Sequence, residues 1–586
     1  MNKIYILSFA SILGLSFSSK ISAQTAVKDT TLNRHVNLER EYTPTIKDAS
    51  KINTLPALHD PVKKQYNIKF ENAAPSVNID SYSVGDTGSG DINTTVDYSK
   101  HRGYFTFGAG MYTNLEGALG YRVVDGEKDQ LDIFATHSFT DARVKYLQKN
   151  SPLDKVKAKD MENMVKLRYS HTFEPLTWYL SGSFVNDQYN YYGNPYIFST
   201  SAGTTFPEEN LEKKQSSSLF EIETGIKSKE ESDKLIYSGS LRYNRFTSKY
   251  GPDMIYDGAK ANLVDARVNL TFPFMNEFRA GVKGGIFHQS VSDVDFAPEG
   301  TEPFHSLTSV NANPYLSIEG DNYKISVGAN LAQALDYNDK TQISPTADIF
   351  WNFEEKSAFY LTLDGGINNN SLVDIYRENK YVSPASRIEI SQTPYNAQVG
   401  IKSGVVDGFE FDIFGGYKYT KNEHLYLPSQ TASWGNVSDA LYANLGTGHF
   451  GGALKTRLIP YTDLSLKAVG YFYNVKDYVT PDISPSEKKA WGKPSLTFDF
   501  NADFSFIDNL ILTANYSFEG GRKTYLNSES VKMDAINELS FKANYQIFDW
   551  LSVYGKANNI LNQKYERYYG YTLQGINVLV GVNLKF

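Results

Sequence analysis

The chain has 586 residues, 21% of them charged and 14% aromatic, with 43 Gly, 42 Tyr, 35 Phe and no Cys. Without cysteine there is no lipoprotein anchor, disulfide framework, thiolate metal site or cysteine nucleophile. The formal net charge of −8 argues against a nucleic-acid partner, whose phosphates require a basic footprint.

The only continuous apolar run opens the chain, where Lys3 precedes Ile4 to Phe17 and Ser22-Ala23 precedes Gln24. About 14 apolar residues behind a cationic start read as a secretory signal peptide over residues 1–23, too short to span a bilayer. From Gln24 to about Lys100 the sequence is polar and broken by Pro44, Pro56, Pro61 and Pro75. With no sustained period of 2 or 3.6, it reads as an extended arm, periplasmic or lumenal. Within it, Asp86-Thr87-Gly88-Ser89-Gly90-Asp91 spaces two carboxylates as calcium loops do, but the bidentate acid further on is missing. It is read as a hinge, and no metal or other cofactor is assigned.

From about Gly103 to the last residue, apolar and polar positions alternate with period 2. Leu496, Phe498, Phe500, Ala502, Phe504 and Phe506 interleave with Ser495, Thr497, Asp499, Asn501, Asp503 and Ser505, so one face suits hydrocarbon and the other water. Val264 to Phe272 and Leu539 to Ile547 repeat the pattern. The expected strands run to about 9 to 12 residues, long enough for a tilted bilayer crossing, and aromatics such as Trp178, Phe274, Tyr461 and Trp550 fall near their ends, at headgroup level.

Tight turns are expected near Asp125, Glu174, Lys229, Met275, Gly320, Glu355, Val406, Tyr461, Asp508 and Asp549. Long polar loops alternate with them, as over Asp187 to Ser216, His288 to Asn313 and Lys421 to Gly448. Ten turns with a first and a last strand predict an all-β, transmembrane antiparallel barrel of about 22 strands over residues 101–586, with both termini in the periplasm of a Gram-negative bacterium. Such a barrel has a backbone diameter of ~44 Å and an opening of roughly 25 Å, so the lumen should be occluded, either by the arm or by inward-folded loops.

No catalytic constellation emerges, and no enzymatic activity is expected. The nine histidines are scattered; His137 and His171 share their faces with apolar residues and suit interfacial anchoring better than general-base work. Gly108-Ala109-Gly110 fails the dinucleotide fingerprint, because Thr113 holds the third glycine position. The loop carrying Tyr189, Tyr191, Tyr192 and Tyr196 has residue types that stack on sugars or peptides and that also pack loop against loop. Lumen-facing Glu221, Glu223, Asp265, Arg267, Arg279 and Lys283 carry both signs, which suits a wetted or plugged interior.

The last strand places Val578, Val580, Val582, Leu584 and Phe586 on one face. It resembles the C-terminal signal read by the outer-membrane barrel-assembly machinery. Upstream, Asn558-Asn559-Ile560-Leu561-Asn562, Lys564-Tyr565, Tyr569-Gly570-Tyr571 and Gly575 resemble the final hairpin of TonB-dependent outer-membrane receptors. That resemblance implies solute uptake across the outer membrane. It departs from the family at the N-terminal end, where the arm lacks the alternating elements of a folded plug. Asp29-Thr30-Thr31-Leu32 and His35-Val36-Asn37-Leu38 are the only strings resembling a TonB-binding box, and TonB engagement is left open. The alternative is a scaffold subunit of an outer-membrane assembly, secretion or surface-binding complex, with an envelope or surface lipoprotein as partner.

Overall fold

A computed structural model describes residues 101–586, apart from 149–150, 152, 198–210, 230–234, 252–253, 255, 275–276, 293–302, 336–339, 355, 407, 430–436 and 481–484. The expected signal peptide, the arm and the Asp86 to Asp91 segment lie outside the described residues.

Twenty-two antiparallel strands form one closed sheet, each paired with its neighbours in the chain. Each of the ten expected turns joins two consecutive strands at one rim, the turn rim. Residues 321–322, 508–509 and 549–550 are among the tightest connections, of two residues each. In the second of these Asn509 takes φ 64°, a left-handed conformation that Asn tolerates better than most side chains.

The barrel is closed by Gly103–Gly110 against Asn577–Lys585, in register from Tyr104 opposite Lys585 to Gly110 opposite Leu579. The terminal residue completes the ladder: Gly103 N–H donates to the Phe586 carbonyl at 2.7 Å, and Phe586 N–H donates back at 3.0 Å. The Phe586 ring stacks on Tyr121, with centroids 5.7 Å apart. Small residues are needed at this seam because Tyr554 reaches across it to donate to Glu116 at 2.7 Å. A Cβ on Gly108 or Gly581 would lie 2.4 Å from the Tyr554 hydroxyl or ring.

Outward-facing Leu241, Val268, Ile286, Leu316, Val327, Ile413 and Phe541 are exposed and form the apolar belt of a membrane barrel. At the turn rim Phe173, Phe274, Trp351, Tyr461, Phe506, Phe548 and Trp550 are exposed as well, an aromatic girdle at headgroup level. His171 lies at this rim, its Nδ1 2.6 Å from Asp129, which also accepts from the Tyr169 hydroxyl at 2.6 Å. His137 pairs with Asn163 at 2.7 Å.

Two expectations need correction. Strands are not uniformly 9 to 12 residues: Phe409–Pro428 and Ser438–Thr456 run to 20 and 19. The expected loop Lys421 to Gly448 is therefore mostly a strand hairpin, and the loops Asp187 to Ser216 and His288 to Asn313 are trimmed by strands that reach Asn190 and Val291 and resume at Lys214 and Leu307. The cause is continued ladder pairing above the bilayer, where polar side chains no longer mark a strand's end.

Deleting Phe586, or replacing Val582 and Leu584 by Asp, is expected to abolish stable insertion, since a charge on the lipid face costs roughly 2–4 kcal/mol at mid-membrane for basic residues and somewhat less for acidic ones. Heat-modifiable mobility of outer-membrane fractions measures this, and wild-type amounts of folded barrel would refute it.

Candidate functional site

At the opposite, loop rim, the chain folds inward and builds a cap across the mouth. Its first part is a helix over Leu372–Glu378, in the connection between strands Ser357–Asn368 and Ser391–Val406. Ser371 starts it through a capping box: Asp374 N–H donates to the Ser371 hydroxyl and Ser371 N–H to the Asp374 carboxylate, both at 3.2 Å. Leu372, Val373, Ile375 and Tyr376 are buried against Leu219, Phe246 and Leu263 of the barrel wall and Ala440 and Tyr442 of the long hairpin. Burial of such side chains contributes about 1.5–3 kcal/mol each, so the helix is held by its apolar face. Leu372 N–H also donates to the Gln289 side chain at 2.9 Å.

Glu378, the last residue of this helix, and Lys380 just beyond it join the cap's separate parts. Glu378 accepts from Tyr426 at 3.2 Å and pairs with His424 at 2.6 Å, both on the long hairpin. Its backbone carbonyl accepts from the Tyr568 hydroxyl of the last loop at 2.7 Å. The Lys380 ammonium meets both Asp160 oxygens at 2.6 and 2.7 Å and Asp187 at 3.8 Å, and lies over the Tyr189 ring. Burial by itself would lower the Lys380 pKa, but Asp160 and Asp187 outweigh it and hold the amine above its ordinary value. Burial likewise works to raise the Glu378 carboxyl, and His424 beside it prevails and keeps it low.

Around this junction lies a cluster of tyrosines. Tyr189, Tyr191, Tyr192 and Tyr196, singled out from the sequence, are all buried. Tyr189 and Tyr192 meet Tyr381 edge-on, each with centroids 5.8 Å apart, and Tyr381 stacks on Tyr571 at 4.0 Å. The Tyr146 hydroxyl donates to the Tyr192 carbonyl at 2.6 Å. In these positions the rings tie four loops together.

The last loop is shaped by the asparagine stretch noted in the sequence. Asn559 donates to the carbonyls of Gln563 and Gln574 at 2.9 and 3.1 Å and accepts from Gln563 N–H, while Asn562 accepts from Ile576 N–H at 3.1 Å. These bonds pinch the loop's base and send Tyr565 to Tyr571 over the mouth. Arg522, fully buried, donates to the carbonyls of Glu566 and Arg567 at 2.8 and 2.9 Å. Burial pushes the Glu566 carboxyl up to about 7, against the hydrogen bond it accepts from Gln148.

Beneath the cap the lumen wall is polar. Arg242 pairs with Glu223 at 2.7 Å, Arg267 with Asp265 at 2.6 Å and Arg279 with Glu319 at 3.0 Å. Asp265, Arg267, Lys283 and Asn311 line a cavity of about 600 Å³ there. Among the described residues no group of acidic, histidine or cysteine side chains is arranged to hold a metal ion.

No family model matches the sequence, and no curated protein matches it. Solved structures do match. The siderophore receptor PirA from Acinetobacter baumannii superposes with a TM-score of 0.64 at 9% identity, over 83% of this chain and 81% of that one. The FrpB iron transporter from Neisseria meningitidis gives 0.62 at 13% identity, over 83% of each chain. A mutant of the ferric enterobactin receptor PfeA from Pseudomonas aeruginosa gives 0.59 at 11%, over 83% and 80%. The fold is that of the receptor barrels. It is the likeness that the final hairpin suggested, now extended to the whole strand order.

The capping segment 369–390 was not singled out in the sequence, although Ser371-x-x-Asp374 within Leu372-Val373-Asp374-Ile375-Tyr376 is a legible helix start. Replacing Lys380 by Met should loosen the cap by up to roughly 3–5 kcal/mol, because Asp160 and Asp187, each about four-fifths buried, lose their counter-charge. Hydrogen exchange across residues 372–390 reads this out, and unchanged protection would refute it.

Glu566 gives the mouth a pH dependence of defined sign. Its docked pKa of about 7 lies above the ordinary 4.5, so docking favours the protonated acid. The contribution is complete below about pH 4.5 and is lost as pH rises through about 7. The protection of residues 563–573, after correction for the base-catalysed intrinsic rate, should therefore fall between pH 6 and pH 8, and Glu566→Gln should flatten that fall.

Proposed function

We propose that this chain is a receptor-like barrel of the bacterial outer membrane that takes up a solute, with the inward-folded loops as its outer gate. The observation carrying this reading is a 22-stranded wall around a lumen far wider than any strand's side chains can fill, closed at the loop rim by a packed cap. A scaffold needs no such lumen. A structural protein would gain little from a polar interior cavity lined by paired charges. Likeness to receptors and an iron transporter supports the same direction.

In this reading the turn rim and both termini face the periplasm, the loop rim faces outward, and the C-terminal strand ending in Phe586 is the segment offered to the assembly machinery. The arm from Gln24 to Lys100 carries both signs, with Lys47, Lys51, Lys63 and Lys64 beside Glu39, Glu41 and Asp48, and in this reading it occludes the lumen by docking that is reversible, since exposed ion pairs contribute only ~0–1 kcal/mol each. The chemistry is passage of a solute and involves no catalysis. Nucleic acid has no part in it.

Planar-bilayer conductance tests the proposal. The intact chain should be nearly closed, and removing residues 372–390 together with Gln24 to Ser89 should produce a large steady conductance. A wide open pore in the intact protein, or a closed one after both deletions, would overturn it.

A further inference from the structure

On the outer face of six consecutive strands, from Asp129–Val144 to Lys260–Pro273, the side chains change character at one height. Phe184 and Phe220 point outward and are exposed, each 8 residues along its strand from the turn rim. Further from that rim the same face turns basic. Arg143, Lys145, Lys157, Lys214, Lys249 and Lys260 stand 13 to 16 residues from the rim ends of their strands. At ~3.3 Å per residue and a tilt of ~40°, 13 residues climb about 33 Å, just past the ~25 Å apolar band of such a barrel. These side chains therefore sit where hydrocarbon gives way to headgroups. Arg245 lies lower, directly opposite Phe220 and exposed on the same face, and its long stem lets the guanidinium reach up to the others.

The bases form one row. Arg143 stands opposite Lys157 on the ladder, where like charges repel unless an anion lies between them. Lys159 N–H donates to the Asn190 side chain, and Asn190 is opposite Lys214. Lys249 N–H donates to the Ser216 carbonyl, and the neighbouring Thr247 is opposite Lys260. The acids of this face are fewer. Asp154, Glu212 and Asp257 engage Lys145, Lys157 and Lys260 at 2.9, 3.1 and 3.4 Å, and Asp141 stands opposite Lys159. Arg143, Lys214 and Arg245 have no acidic partner among the described residues, in contrast to the paired arginines of the lumen wall.

We propose that this row binds the phosphates of lipid headgroups in the outer leaflet. Arginine grips a phosphate through two parallel N–H groups and lysine adds point charge, so the surplus cations match that chemistry. Six strands take up about 38 Å of the circumference, and over that width the bases keep to a single level. A row at one depth follows a bilayer surface. An acidic protein docking from outside would have no use for Arg245 at the edge of the hydrocarbon. The inference rests on the barrel's place in the membrane and is independent of uptake.

Native mass spectrometry of the folded full chain, titrated in a neutral detergent, tests it with bisphosphorylated lipid A and with the same lipid A stripped of its phosphates. The phosphorylated form should bind about tenfold more tightly. Replacing Arg143, Lys214 and Arg245 together by Gln should remove that preference, while the same change at Lys128, Lys229 and Lys324 of the turn rim should leave it intact; heat-modifiable mobility reports that each variant is folded. Soluble polyglutamate should not displace the bound lipid. Equal affinity for the two lipids, an unchanged preference in the folded Arg143, Lys214 and Arg245 variant, or an equal loss in the turn-rim variant would overturn the proposal. Displacement by polyglutamate would also overturn it and would mark the row as a docking face for an acidic protein.

Discussion

A sheet that stands in hydrocarbon has no water to satisfy an open edge, so every strand needs a neighbour on both sides. Everything else in this molecule depends on the seam between Gly103–Gly110 and Asn577–Lys585, where the first and last strands supply each other's missing partners. The seam demands close approach, which explains Gly108 and Gly581 beneath the Tyr554 ring. It also recruits the terminal residue itself, since the Phe586 backbone forms the final pair with Gly103.

Closing 22 strands creates a second problem, because the circumference that satisfies the backbone leaves a hole too wide for wall side chains to fill. The loop rim meets it by continuing the strands beyond the bilayer and folding what lies between them inward. Helix Leu372–Glu378 is the piece on which the others rest. It is too short to be stable alone, and it holds because its apolar face is buried while its C-terminal end connects elements far apart in sequence. Glu378 reaches the long hairpin and the last loop, and Lys380 reaches the strands carrying Asp160 and Asp187. Buried charges of this kind are weak sources of net stability but costly to leave unpaired. They fix which loops meet more than how tightly they are held.

The same arrangement separates two uses of tyrosine. In the cluster around Tyr189, Tyr381 and Tyr571 the rings are fully enclosed and join loops. Tyr426 and Tyr568, which reach Glu378 through their hydroxyls, and Tyr473 are only half-buried. Composition cannot separate the two uses, since both sets lie in polar, aromatic-rich stretches, and only the packing of neighbouring loops decides which rings are covered.

Period-2 alternation is a local consequence of a wall with lipid on one side and water on the other. Strand number, the ten turns, the outward face of Val268 or Phe541 and the closing role of Phe586 were therefore all legible in the amino-acid order. Loop contacts follow no such rule. The tyrosines from Tyr189 to Tyr196 stood out by composition, yet their burial depends on Tyr381 and Tyr571, which lie some two hundred and four hundred residues away in the chain. Where strands Phe409–Pro428 and Ser438–Thr456 end was equally hidden, because above the bilayer hydrogen bonding continues after the hydrophobic signal has stopped. The sequence by itself determined the wall, since each strand answers to its two solvents; the tertiary structure alone decided the mouth, since there each side chain answers to partners that the chain brings together only after the wall has closed.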